Sequence, residues 1–161
     1  MSEVDLPNAR IVLSPTPTGE GKPTPFKPST FTSVAKLVER APFPVKSPSA
    51  PLPGHELLDG ELLTSPAVVA ALTYVEKSTG RNYMIVQSPI ETAEHKPEVR
   101  AVGEAVSKSN VGLREVALVA GASPPGTPAL VSVIWAEGGV LIQVSAAGYS
   151  TDELEQVVLT L

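Results

Sequence analysis

The chain has 161 residues with 17 prolines, two histidines, no cysteine and a net charge of −5; 42% of its residues are apolar, 18% charged and 4% aromatic. That length suits one domain with a tail, charge-poor and proline-rich beside an ordinary globular chain. Zero cysteine excludes a disulfide scaffold, thiolate metal sites and a cysteine nucleophile.

Charge is distributed unevenly. Residues 51–161 carry six basic against thirteen acidic side chains, and an acidic body repels a phosphate backbone, which argues against nucleic acid as a partner. No apolar run approaches the roughly 20 residues that span a bilayer. Met1 to Arg10, holding Glu3 and Asp5, lacks the basic-then-apolar plan of a secretion signal. The chain is expected to be either cytoplasmic or a piece of a longer protein.

Residues 1–30 hold six prolines, and the stretch LSPTPTGEGKPTPFKP (Leu13 to Pro28) has almost nothing to bury. Proline fixes φ, removes a donor and pushes its predecessor toward extended backbone, so residues 1–30 read as a Pro/Thr-rich linker or disordered tail. A short helix follows, with Val34, Leu37, Val38 and Ala41 at helical spacing, Thr32 or Ser33 as cap and Pro42 as stop. In FPVKSPSAPLPG (Phe43 to Gly54), apolar residues alternate with prolines, which suggests an extended segment laid on the body.

The period then changes to two. Glu56, Asp59 and Glu61 alternate with leucines as in an exposed strand edge or turn. Val68 to Val75 reads as a strand, EKSTGR (Glu76 to Arg81) as a turn and Tyr83 to Gln87 as the returning strand of an antiparallel hairpin. Ser88 to Gly112 is a polar interval broken by Pro89, Pro97 and Gly103.

Leu113 to Val119 is strand-like, and Leu130 to Trp135 and Val140 to Ala146 flank Gly138-Gly139 as a second hairpin. Val131, Val133 and Trp135 are expected to share a face with Val140, Ile142 and Val144. Ser150 and Glu153 match a capping box, and Leu154, Val157, Val158 and Leu161 form one apolar stripe of a closing helix. The sum, over residues 31–161, is a single α+β domain: about five antiparallel strands packed against a short N-terminal and a C-terminal helix.

Chemistry-bearing patterns are sparse. His55 and His95 lie forty residues apart, outside metal-ligand spacing, and read as surface histidines. Glu91, Glu94 and Glu98 around His95 could hold a divalent ion loosely or form a solvated loop. No nucleophile elbow, phosphate loop or dinucleotide glycine motif occurs, so no catalytic, cofactor or metal residue is assigned and a non-enzymatic role is expected. Trp135 reads as a core anchor and Tyr149 as a hydrophobic staple before the capping box. Phe43, Leu52, Trp135 and Tyr149 are the residues expected to meet a ligand or partner.

The order of these features resembles a bacterial family catalogued as domain of unknown function 4367. The positions that carry the resemblance are Phe43-Pro44, Leu52-Pro53-Gly54, Trp135, Glu137, Gly138, Val140 to Val144, Gly148 and Glu153-Leu154. It covers about residues 31–161. It implies an extracytoplasmic domain of an anti-sigma factor or another membrane-anchored or secreted protein, similar in plan to lipoprotein-sorting carriers and sigma-E regulators, whose curved sheet cups helices. No catalytic residue and no cofactor comes with it. The tail would then be a spacer from a membrane segment missing from this chain. Three functions follow as expectations: a sensory or interaction domain for an envelope protein or hydrophobic ligand; a lipid carrier with a hollow cavity lined by Val133, Trp135 and Ile142; and, least favoured, an envelope hydrolase.

Overall fold

The two-residue period of a strand turns alternate side chains of Val69–Glu76 (β5) and Asn82–Pro89 (β6) to one face, burying Ala70, Leu72 and Tyr74 on the first strand and Tyr83, Ile85 and Gln87 on the second. These two form the inner part of the larger sheet in a computed structural model, which describes residues 3–7, 9–14, 29–64, 68–90, 98–121 and 130–161. The other strands in chain order are Glu3–Asp5 (β1), Arg10–Ser14 (β2), Ser29–Phe31 (β3), His55–Leu63 (β4), Glu98–Val102 (β7), Ala105–Val111 (β8), Arg114–Ala120 (β9), Leu130–Glu137 (β10) and Val140–Ala147 (β11). Helices Val34–Arg40 (α1) and Thr151–Leu159 (α2) complete the described elements.

The larger sheet has eight strands in the order β3-β4-β5-β6-β11-β10-β9-β8, all pairs antiparallel, and β1-β2-β7 form a second sheet in which β2 and β7 run parallel. The mostly antiparallel α+β architecture is as expected. The sheet differs from the sequence expectation in two respects: it has eight strands where about five were expected, and it is not curved.

The three additional strands have physical reasons to be faint in the sequence. On β4 the pairing register slips between Leu57 and Asp59, and Leu58 is left exposed. Such a bulge breaks the period-two pattern, so a strand paired on both sides reads as an edge. On β8 only Val106 and Val111 are buried, as suits the polar outer strand of a sheet. β3 is three residues long.

The reading of residues 1–30 as linker or tail is corrected for the part that is described. β1 and β2 pair antiparallel, and Val4, Leu6, Ala9 and Ile11 are buried in the core. Their signal was short: apolar residues alternate with Glu3, Asp5 and Arg10 over too few positions. Residues 15–28 lie outside the described residues.

Cross-strand register lines up Val133 with Val144 and Trp135 with Ile142, then Ile142 with Gln87 and Val144 with Ile85. The expected shared face of the second hairpin is therefore present. Gly138 and Gly139, at φ of 59° and 76°, supply the two left-handed positions its two-residue turn requires.

The sheet's two faces are covered differently. The face bearing Tyr83, Ile85 and Ile142 packs against α2, through Leu154, Val157 and Val158, and against α1, through Leu37. Gly60 makes room for that helix, because a Cβ there would stand 3.2 Å from Leu37 Cδ1. The small sheet lies on the opposite face, over β8 to β10. At Gly103 a Cβ would fall 2.5 Å from Val119 Cγ1 and 3.4 Å from Leu13 Cδ1. Ser132 to Ala136 of β10 are consequently buried on both faces.

Both helix caps follow the sequence expectation. Ser33 caps α1, and at α2 the Ser150 side chain accepts from the Glu153 N–H while Glu153 accepts from the Ser150 N–H.

Candidate functional site

The β5–β6 hairpin and the start of α2 converge on one end of the large sheet. Hairpin register sets Tyr74 opposite Tyr83, and their rings stack at 5.3 Å between centroids. Tyr149, immediately before the Ser150 cap, meets the Tyr83 ring edge-on at 5.9 Å. His55, at the first position of β4, lies 5.4 Å from the Tyr83 ring and 5.8 Å from the Tyr149 ring.

The polar atoms of this cluster are ordered. Pro53 offers only a carbonyl to His55 Nδ1, at 3.0 Å, so Nδ1 carries a proton. With Nδ1 protonated in the neutral ring, Nε2 accepts from the Tyr149 hydroxyl at 2.7 Å. Burial raises the pKa of Tyr149, with the nearby Arg81 charge acting against the rise. Burial likewise pushes Tyr83 to about 12. The backbone of Leu52 lies against the Tyr83 hydroxyl and pulls that value down, yet no hydrogen bond of good geometry reaches this buried oxygen.

Arg81 binds the cluster to the helix. Its guanidinium donates to Glu76 at 3.1 and 3.2 Å, to the Gly148 carbonyl at 2.9 Å and to Glu153 at 3.4 Å, and it stands 4.4 Å from the centre of the Tyr149 ring. Hydrogen bonds from Arg81 and from the Thr79 hydroxyl lower the Glu76 pKa to about 2. Glu153 is also held below the usual carboxylate range, chiefly by the Ser150 backbone N–H.

Beside this cluster opens a cleft of about 420 Å³, lined by Leu52, Pro53, His55, Glu76, Asp152, Glu153 and Gln156. One wall is apolar and the other carries three carboxylates. Arg81 already engages Glu76 and Glu153, whereas Asp152, exposed at the first turn of α2, has no partner among the described residues.

The four residues expected to make contacts are not brought together. Leu52 lines the cleft and Tyr149 lies beneath it, 6% exposed with its hydroxyl on His55. Phe43 is half-buried against the core. Trp135 is 2% exposed and its indole N–H donates to Glu137 at 2.9 Å; it borders a smaller cleft, of about 200 Å³, with Leu6, Arg114 and Glu137. Val133, Trp135 and Ile142, which a hollow carrier would need around its cavity, are all core residues no more than 2% exposed.

The sequence gives His55 as a surface histidine and Glu76 and Arg81 only as the two ends of a turn, with no site role for any of the three. His55 is half-buried and bonded through both ring nitrogens rather than free on the surface. The available signal was the hairpin itself: pairing Tyr74 with Tyr83 forces Glu76 and Arg81 together at the turn. His95, Glu91 and Glu94 lie outside the described residues, and among those described no group of three or more His, Asp or Glu could hold a metal ion. No described helix is long and apolar enough to cross a membrane. Comparison of the chain with protein-family models, with curated proteins and with solved structures finds no match.

Proposed function

We infer that this chain is a non-enzymatic interaction domain whose ligand or partner seats in the cleft between the Leu52-Pro53 step and the first turns of α2. The observation that carries this reading is the pairing, in one cleft of about 420 Å³, of an apolar wall with a carboxylate wall. Such a surface suits a positively charged group on an apolar stem, because the stem is desolvated against Leu52 and Pro53 while the charge faces the carboxyl groups of Glu76, Asp152 and Glu153. Binding fits better than catalysis: the Tyr149 hydroxyl is spent on His55, and burial raises its pKa where a tyrosine base would need it lowered.

The setting we propose is the outside of a bacterial cytoplasmic membrane, in a membrane-anchored protein of the anti-sigma type. Its support is the residue resemblance at Phe43-Pro44, Leu52 to Gly54 and Trp135 to Leu154 alone. A natural gene encoding no export signal or membrane segment upstream would remove it.

The cleft is tested by amide NMR titration of the whole chain with hexylamine, and with butanol and acetate as controls. Shifts confined to Leu52, His55, Glu76, Asp152 and Gln156 with hexylamine, lost in Asp152→Asn, are the expected result. Equal shifts with all three compounds, or none at these residues, overturn the cleft assignment.

A further inference from the structure

The wall that carries Leu52 and Pro53 also carries His55, whose ring is bonded through both nitrogens. Nδ1 donates to the Pro53 carbonyl at 3.0 Å and Nε2 accepts from the Tyr149 hydroxyl at 2.7 Å, an arrangement that belongs to the neutral ring. A second proton has to enter at Nε2. The Tyr149 oxygen then turns from donor to acceptor, and its own proton has no other acceptor among the described residues.

Titratable groups face the ring from each element around it. On β5, Glu76 stands directly opposite His55 in the strand register. Arg81, just before β6, holds Glu76 and Glu153, and the first turn of α2 brings Asp152 and Glu153 to the same cleft. Tyr83 and Tyr149 keep their protons, because burial raises both pKa values. On β4 itself, Glu56 is paired with Lys77 at 3.0 Å. Glu76 and Glu153 are held below the usual carboxylate range, so neither takes up a proton between about pH 5 and 8, where histidine as a residue type changes charge.

We propose that His55 is a pH switch on this cleft: the neutral ring admits a positively charged ligand, and protonation of the ring expels it. This rests on the reading of the cleft as a site for a cation on an apolar stem. A ligand ammonium before the carboxyl groups and a proton on His55 put two like charges into one cleft of about 420 Å³, where they repel. Both also draw on Glu76, which lies opposite His55 in register and lines the cleft. Linkage makes the effect reciprocal: protonation weakens ligand binding by the same factor by which bound ligand disfavours protonation. For two unit charges sharing such a cleft that factor is about tenfold.

The test is NMR of the whole chain, following the amides of Leu52, His55 and Gln156 and the His55 ring while hexylamine is added at about pH 8 and at about pH 5.5; an alkylammonium, like lysine, keeps its charge at both. The dissociation constant should be about tenfold higher at the lower pH. Saturating hexylamine should displace the His55 ring titration to lower pH. His55→Gln should bind hexylamine alike at both pH values. A thermal melt shows whether that variant folds, and the wild-type ring titration carries the test if it does not. Equal wild-type affinity at both pH values, a ring titration that hexylamine leaves in place, or a loss of affinity in acid that persists in folded His55→Gln overturns the switch and leaves the cleft assignment standing. No hexylamine shifts at these residues at the higher pH overturns the cleft reading and the switch with it.

Discussion

The Gln87 side chain binds both backbone groups of Lys46: its carbonyl accepts from the Lys46 N–H at 2.7 Å and its amide donates to the Lys46 C=O at 2.6 Å. Gln87 is fully buried in the middle of β6, so one side chain stands in for a strand partner and fixes the proline-rich segment from Phe43 to Gly54 on the sheet. Further along, the Ser49 N–H donates to the Thr160 carbonyl and the Lys77 N–H to Gly54. The strap that ends in the cleft wall at Leu52-Pro53 is thus positioned from β6.

Gln87→Leu fills the same volume but leaves the Lys46 N–H and C=O unpaired beneath the strap. Burying polar groups without partners costs about 1 to 3 kcal/mol, and urea denaturation should show a loss of that size. Limited proteolysis should cut between Phe43 and Gly54 sooner than in the wild type.

Two tyrosines in contact should respond oppositely to losing a hydroxyl. Tyr149→Phe deletes the hydrogen bond to His55 and should cost about 1 kcal/mol. Tyr83→Phe deletes a buried oxygen that lacks a well-formed hydrogen bond, so it should be neutral or stabilising. Thermal or chemical denaturation of both variants decides this.

Acid should destabilise the hairpin end of the site. The Glu76 pKa is lowered from 4.5 to about 2 in the folded chain, by hydrogen bonds from Arg81 and Thr79. A depressed carboxylate contributes stability that is present above its unfolded pKa and is lost as pH falls through the folded one. The melting temperature should therefore drop between about pH 4.5 and pH 2, and Glu76→Gln should flatten that part of the profile. The lowered Glu153 pKa acts in the same direction.

At alkaline pH the three tyrosines of the chain are all shifted upward by burial, Tyr83 to about 12. Ultraviolet absorbance of the folded protein should show little tyrosinate at pH 10, where urea-unfolded chain is half ionised. A raised acid favours the folded state below its unfolded pKa, so stability should fall as pH rises from about 10 toward 12.

Arg114 holds the end of α2. It donates to the carbonyl oxygen of Val158 and to that of Leu161 at 2.9 Å each, to Glu137 at 3.0 Å, and faces the Trp135 ring at 5.7 Å. Arg114→Ala should cost roughly 1 to 3 kcal/mol, speed exchange of the last-turn amides of α2 and shift Trp135 fluorescence. Arg114→Lys should rescue little, because a single ammonium cannot reproduce the guanidinium fork.

Elements whose signals are local were legible in the sequence. Ser33 and the Ser150/Glu153 box mark helix starts by chemistry three residues deep, Gly138-Gly139 marks a turn by backbone freedom, and the alternation in β5, β6, β10 and β11 sets one face of each toward the core. These fixed an α+β chain with both helices in place, and they separated a docked proline segment from the rest. Tertiary structure decided what depends on partners distant along the chain. β4 is hidden by a bulge, β8 by its outer position and β1 by its brevity, so the strand number follows from pairing rather than from periodicity. The cleft has the same origin. His55 meets Tyr149 across ninety-four residues and Gln87 meets Lys46 across forty-one, and side chains that act through such contacts carry no periodic mark in the sequence that encodes them.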